Sequence, residues 1–227
     1  MESVMIKKFI PKPIKRFVRE RHQQHFLEKS LKEFSRLKTP PSDELLSDLI
    51  YGWGNEGYSA EHEYLSALTR YARKMRAPIL ECGSGLSTLL LGIAAQQNGN
   101  QVWTLEHHPE WAERMKKSLN KFSIKSVELC VSPLRKYEEF DWYDAPLEKM
   151  PRGFSMVICD GPPGATRGGR YGLIPLMRQF LPAGCLILAD DASRRDEQAI
   201  LEKWARELGA EFEISGSDKP YATMIIP

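Results

Sequence analysis

Ile79-Leu80-Glu81-Cys82-Gly83-Ser84-Gly85-Leu86-Ser87-Thr88 is the stretch on which the fold turns. A short apolar run ends in an acid, passes a glycine turn and enters a Leu-rich segment compatible with a helix. A buried parallel strand delivers the chain to the turn, where Gly83 and Gly85 can take backbone angles closed to other residues and let a ligand approach the main chain. Ser87 and Thr88 fall in the first helical turn, whose unpaired N–H groups favour electronegative ligand atoms. This pattern reads as the nucleotide-binding corner of an α/β protein, although a bare strand-to-helix turn would also carry these glycines. The dinucleotide fingerprint G-x-G-x-x-G would need a third glycine at Thr88, which speaks against a pyrophosphate ligand.

Outward from that turn the chain alternates. A helix over about Ala60 to Lys74 precedes the strand ending at Glu81, and the helix after Ser84 leads to a strand Gln101–Glu106. Pro109 opens a helix to about Asn120, followed by a strand Val127–Val131. Phe154–Asp160 and Cys185–Asp190 are further apolar strands with a helix Gly172–Phe180 between them, and Arg195–Leu208 is a helix. Strands alternating with helices predict a Rossmann-like, doubly wound, mostly parallel sheet of seven strands. The last two strands, Glu211–Ser215 and Ala222–Ile226, are separated by too few residues for a parallel crossover, so they form an antiparallel hairpin if they pair.

The acids narrow the reading. Glu106 ends the second strand about twenty residues beyond the glycine turn, where a carboxylate can accept hydrogen bonds from both ribose hydroxyls of a nucleoside. A solvated strand-end acid is the plainer alternative. Asp160 and the pair Asp190-Asp191 end two later strands, at the edge where open α/β sheets place ligands. Brought together, three carboxylates raise one another's pKa unless a cation neutralises them, and hard oxygen ligands suit Mg²⁺ or Ca²⁺.

A parallel sheet closed by a terminal hairpin resembles the class I S-adenosylmethionine-dependent methyltransferase fold. The run Met156-Val157-Ile158-Cys159-Asp160, the helix around Tyr171 to Phe180, and Leu186-Ile187-Leu188-Ala189-Asp190-Asp191 resemble more narrowly the metal-dependent catechol and caffeoyl-coenzyme A O-methyltransferase group. The resemblance covers about Ser59 to Asp191. It implies S-adenosylmethionine as cofactor, with Glu81, Gly83, Ser84, Gly85, Ser87, Thr88 and Asp160 around its methionine part and Glu106 on its ribose. It places His107 against adenine and Ser132 at the adenine edge, and makes Asp160, Asp190 and Asp191 the ligands of a divalent metal.

One departure matters. The group has a lysine three residues beyond the first metal Asp, as general base toward the substrate hydroxyl, and this chain has Pro163. The Gly- and Pro-rich loop Gly161–Tyr171 reads instead as a substrate lid carrying Arg167 and Arg170 toward an anionic or hydroxyl-rich acceptor, or as a surface loop whose arginines pair with nearby acids. A bound metal would lower the pKa of a substrate hydroxyl and make a dedicated base less necessary. Without one, Asp160 can serve as base, or His62 or His108 can reach the site. Tyr51-Gly52-Trp53-Gly54-Asn55-Glu56-Gly57-Tyr58 supplies flat rings for a pocket cover, or an aromatic anchor for the N-terminal helices.

Composition sets the remaining bounds. The 227 residues suit one α/β domain with an extension. Cys82, Cys130, Cys159 and Cys185 form no C-x-x-C pair and read as reduced core residues of a cytoplasmic protein. No apolar run has transmembrane length, and the basic start lacks the apolar segment of a signal peptide. The net charge of +2 hides an asymmetry: residues 1–38 hold eleven Lys and Arg against four Glu, which leaves −5 for the rest. Ile14, Phe17 and Val18, then Leu27, Leu31, Phe34 and Leu37, recur at helical spacing around a polar break at His22–His25, predicting two amphipathic pieces. Thr39-Pro40-Pro41-Ser42 marks the boundary between a basic helical extension, 1–41, and the methyltransferase domain, 42–227.

That arm suits packing on the domain, a homodimer contact, or peripheral attachment to an anionic membrane on the cytoplasmic face. Nucleic acid is not expected, because the arm lacks interleaved aromatics for base stacking. The function expected is O-methylation of a small hydroxylated molecule, a sugar or a glycan. A nicotinamide-dependent oxidoreductase and a non-catalytic nucleoside-binding protein on the same fold are the alternatives.

Overall fold

The computed structural model describes residues 12–54 and 60–227; the start of the basic arm and most of the aromatic segment after Gly54 lie outside the described residues. The strands are β1 (Ile79–Cys82), β2 (Val102–Glu106), β3 (Val127–Val131), β4 (Leu134–Lys136), β5 (Asp141–Tyr143), β6 (Met156–Cys159), β7 (Leu186–Ala189), β8 (Phe212–Ser215) and β9 (Tyr221–Ile225). The helices are α1 (Lys12–Phe34), α2 (Asp43–Trp53), α3 (His62–Ala72), α4 (Leu86–Gln97), α5 (Pro109–Lys121), α6 (Leu173–Met177) and α7 (Arg195–Leu208).

Seven strands form one sheet in the order β3-β2-β1-β6-β7-β9-β8. Every pair is parallel except β7 with β9 and β9 with β8, so the expected terminal hairpin is present. β1, β6 and β7 are buried at every position because helices cover both faces of the sheet, which explains the unbroken apolar runs of β6 and β7 and a β1 apolar but for Glu81. The strand order reverses between β1 and β6, and there the register pairs Cys82 with Cys159 and Cys159 with Ala189. Gly83, Asp160 and Asp190, each the next residue, therefore meet along one carboxyl edge.

Two apolar clusters flank the sheet. One joins α2, α3, α4 and the second half of α1 through Leu27, Leu31 and Phe34; the other gathers Phe154, Leu173 and Trp204 beneath α6 and α7. Cys82, Cys159 and Cys185 are buried, Cys130 is half-buried, and all four are free thiols.

Two expectations are corrected. α1 is one helix of 23 residues, not two pieces. The polar stretch contains no helix breaker, Gln23 is buried, and His22 Nδ1 lies 2.9 Å from the Tyr51 hydroxyl, so the tertiary structure absorbs the break. The antiparallel ribbon of β4 and β5 has no counterpart in the predicted elements. Its strands have three residues each, too short for an alternating pattern to register.

Candidate active site

A cavity of about 850 Å³ opens at the carboxyl edge, where the strand order reverses. One half is built by the β1 turn. Gly83 has φ +89°, a conformation that residues with side chains rarely adopt, and it packs beside Gly161, the second residue beyond β6. Ser84 donates both its backbone N–H, at 3.0 Å, and its hydroxyl, at 2.7 Å, to Glu106 Oε2. Glu106 Oε1 accepts from the backbone N–H of His108 at 2.8 Å. The Trp111 indole N–H donates to the Ser84 carbonyl at 2.7 Å, and Trp53 meets Trp111 edge to face at 6.0 Å. The Arg114 guanidinium lies over both rings. These groups make a flat-walled pocket with one acid at its rim.

The other half is electrostatic. Asp160, Asp190 and Asp191 offer oxygens within 4.8 Å of one another. Arg170, 2% exposed, is inserted among them. Its Nη2 is 3.1 Å from Asp160 Oδ1 and 3.0 Å from Asp191 Oδ2, and its Nε is 3.6 Å from Glu197 Oε1. Asp191 takes φ +61°, a left-handed conformation that Asp tolerates better than most residues, and its Oδ2 also meets Arg194 Nη1 at 2.8 Å. Burial pushes the carboxyls of Asp160, Asp190 and Glu197 upward, and Arg170 opposes this at all three. For Arg170 itself burial disfavours the charge, but Asp160 and Glu197 more than offset it. Tyr143 supplies a buried hydroxyl at the cavity wall with no partner among the described residues.

Residues 80–192 match a family described as a methyltransferase domain. This is a methyltransferase domain on the class I fold. A methyltransferase of Podospora anserina solved with S-adenosylhomocysteine has a TM-score of 0.59 at 15% identity, over 100% of both chains. A Staphylococcus aureus protein described as a caffeoyl-CoA O-methyltransferase has 0.62 at 14% identity, over 91% of this chain and 99% of its own. An O-methyltransferase of Bacillus cereus solved with S-adenosylhomocysteine has 0.60 at 13% identity, over 82% and 92%. At these identities the likeness is one of fold. No curated protein matches the sequence.

Within the methyltransferase cavity, Gly83, Ser84, Gly85, Ser87, Glu106, His107, Asp160, Arg170, Asp190 and Asp191 all reach the wall. Four expected residues do not. Glu81 is fully buried beneath the turn, where its carboxylate accepts from Ser87 Oγ and Thr104 Oγ1. Burial pushes it up to about 7, with the two hydroxyls pulling the other way. Thr88 is buried and accepts the Gly85 N–H, so it holds the turn from inside. Ser132 is buried, and its hydroxyl has no partner among the described residues. Arg167 lies on the β4–β5 ribbon, bonded to Asp141 and to the carbonyls of Tyr137 and Glu138, and is a brace rather than a lid group.

His62 bonds Ser47, away from the cavity, while His108 lines it but accepts the Trp111 N–H through Nδ1 as the cap of α5. Tyr143, Trp111, Arg114, Arg194 and Glu197 went unread in the sequence. They come from β5, α5 and the start of α7, and no local spacing announces that they converge.

Proposed function

We propose that this methyltransferase moves the methyl group of S-adenosylmethionine to a hydroxyl of a small molecule or saccharide. The observation that carries the reading is Glu106: its carboxylate ends β2 beside the Ser84–Gly85 turn, and the residue lines the cavity. There it can take a ribose diol, with His107 beside the base and the main chain of Gly83 and Gly85 open to the methionine part.

Asp160 stands on the acceptor side. Burial makes its carboxyl readier to hold a proton than an ordinary Asp, which suits a base toward a hydroxyl. The acceptor oxygen attacks the methyl carbon in line, the carbon–sulfur bond breaks as the carbon–oxygen bond forms, and the hydroxyl proton passes to Asp160. Positioning supplies most of the acceleration in such a displacement. Arg170 already holds one oxygen each of Asp160 and Asp191, two of the metal ligands that the resemblance implies, so its charge stands where a divalent metal's would.

Calorimetry with S-adenosylhomocysteine tests the donor. One saturable site is expected, and no heat at any concentration sinks the reading, while binding of NAD instead would restore the oxidoreductase. Transfer to oxygen is checked by mass spectrometry of hydroxylated acceptors incubated with the methyl donor.

For location we propose contact with an anionic membrane through α1. Ile14, Phe17 and Val18 are 52%, 58% and 60% exposed beside Lys15 and Arg16, an apolar stripe edged with positive charge. Among the described residues no helix is long and apolar enough to cross a membrane.

A further inference from the structure

The acids at the sheet edge pose a charge problem for which the resemblance implies a divalent ion, and this chain answers it with a side chain. Arg170 leaves the Gly-rich loop and ends among the strand-end acids. Its Nη2 is shared between Asp160 Oδ1 and Asp191 Oδ2, and donates also to the Asp160 carbonyl at 3.2 Å. Its Nη1 donates to the Asp190 carbonyl at 2.5 Å. One guanidinium therefore touches all three residues expected to ligate an ion. A hard cation needs carboxylate oxygens at about 2.0–2.6 Å, and one seated on these acids, even on their second oxygens, would lie close to the guanidinium charge and be repelled unless Arg170 leaves. Leaving is opposed on two grounds: the guanidinium cannot shed its charge, and its exit would strand Glu197, itself 5% exposed, without the buried partner at Nε.

We propose that Arg170 is the resident cation of this site: it replaces the divalent metal, positions Asp160 at the cavity wall, and leaves a protein that neither binds nor needs a metal ion there. The claim concerns the acids and Arg170 alone. It is tested without cofactor, so its failure is distinct from a failure to bind S-adenosylhomocysteine.

The full chain, stripped with a chelator, is titrated with Mg²⁺, Ca²⁺ and Mn²⁺ by calorimetry and by thermal unfolding. No saturable heat and no change in melting are expected for the wild type. Arg170→Ala frees the acids and is expected to gain a cation site, with melting raised roughly 5–10 °C at a hundred times the Kd. That gain should vanish in Arg170→Ala/Asp191→Asn. Saturable binding to the wild type that Asp191→Asn abolishes overturns the proposal, as does a folded Arg170→Ala protein that takes up no cation. If circular dichroism shows Arg170→Ala unfolded, the wild-type titration decides by itself. Arg170→Lys, which keeps the charge and loses the fork, is then expected to fold without acquiring the site.

Discussion

Ser84 holds the Glu106 carboxylate twice, through its backbone N–H and its hydroxyl, so the acid that ends β2 also fixes the turn that follows β1. The rim of the pocket and its floor are one hydrogen-bonded unit. Pairing between neighbouring parallel strands places the two segments side by side, and the double bond sets their relative height.

Glu106→Gln removes the charge and one set of acceptors from that unit. Hydrogen bonds to a charged group are worth about 1.5–3 kcal/mol, so affinity for S-adenosylhomocysteine should fall roughly 10- to 100-fold by calorimetry. An unchanged affinity would remove Glu106 from the cofactor site.

Gly161 has no room for a side chain. A methyl there would run into the Tyr143 hydroxyl and lie 3.2 Å from both the Cys82 carbonyl oxygen and the Gly83 α-carbon. Gly161→Ala should cost about 1–3 kcal/mol in urea unfolding, as overpacking does. Adding Tyr143→Phe should return part of that loss, because the nearest obstacle is the phenol oxygen. A strictly additive double variant would show that the backbone, not Tyr143, resists the methyl.

Glu81 makes stability depend on pH in a defined direction. Its folded carboxyl, pushed up to about 7 from 4.5, binds more protons than the unfolded one between those values. Stability from this group is therefore fully present below pH 4.5, declines as pH rises to 7, and levels off above. Glu81→Gln should flatten that decline by about 2–4 kcal/mol between pH 5 and 8 in urea unfolding. A variant that keeps the wild-type slope would place the titration elsewhere.

The exposed stripe of α1 predicts a lipid preference. Vesicles containing phosphatidylserine should bring the protein down on centrifugation and pure phosphatidylcholine vesicles should not, with high salt weakening the effect. Phe17→Glu with Val18→Glu should abolish most of the binding while leaving the melting temperature unchanged, since both side chains are solvent-exposed. Equal sedimentation of variant and wild type would show that the stripe does not meet the membrane.

What the sequence determined by itself is the sheet and its ligand edge. Apolar runs at β1, β6 and β7, broken only by Glu81, the glycines at 83 and 85, and acids at 106, 160, 190 and 191 are local patterns, because burial on both faces and turn geometry act over a few residues. The tertiary structure decided which of those residues face the cavity. Glu81 and Thr88 lie in the same short stretch as Ser84 and Ser87, yet the strand pleat and the start of α4 turn them inward to hold the turn. It also decided what neutralises the acids. Asp160, Asp190, Asp191 and Glu197 span two strand ends and a helix, and Arg170 reaches them from a loop; a buried ion network depends on distances of 3 to 4 Å between segments that no spacing along the chain encodes.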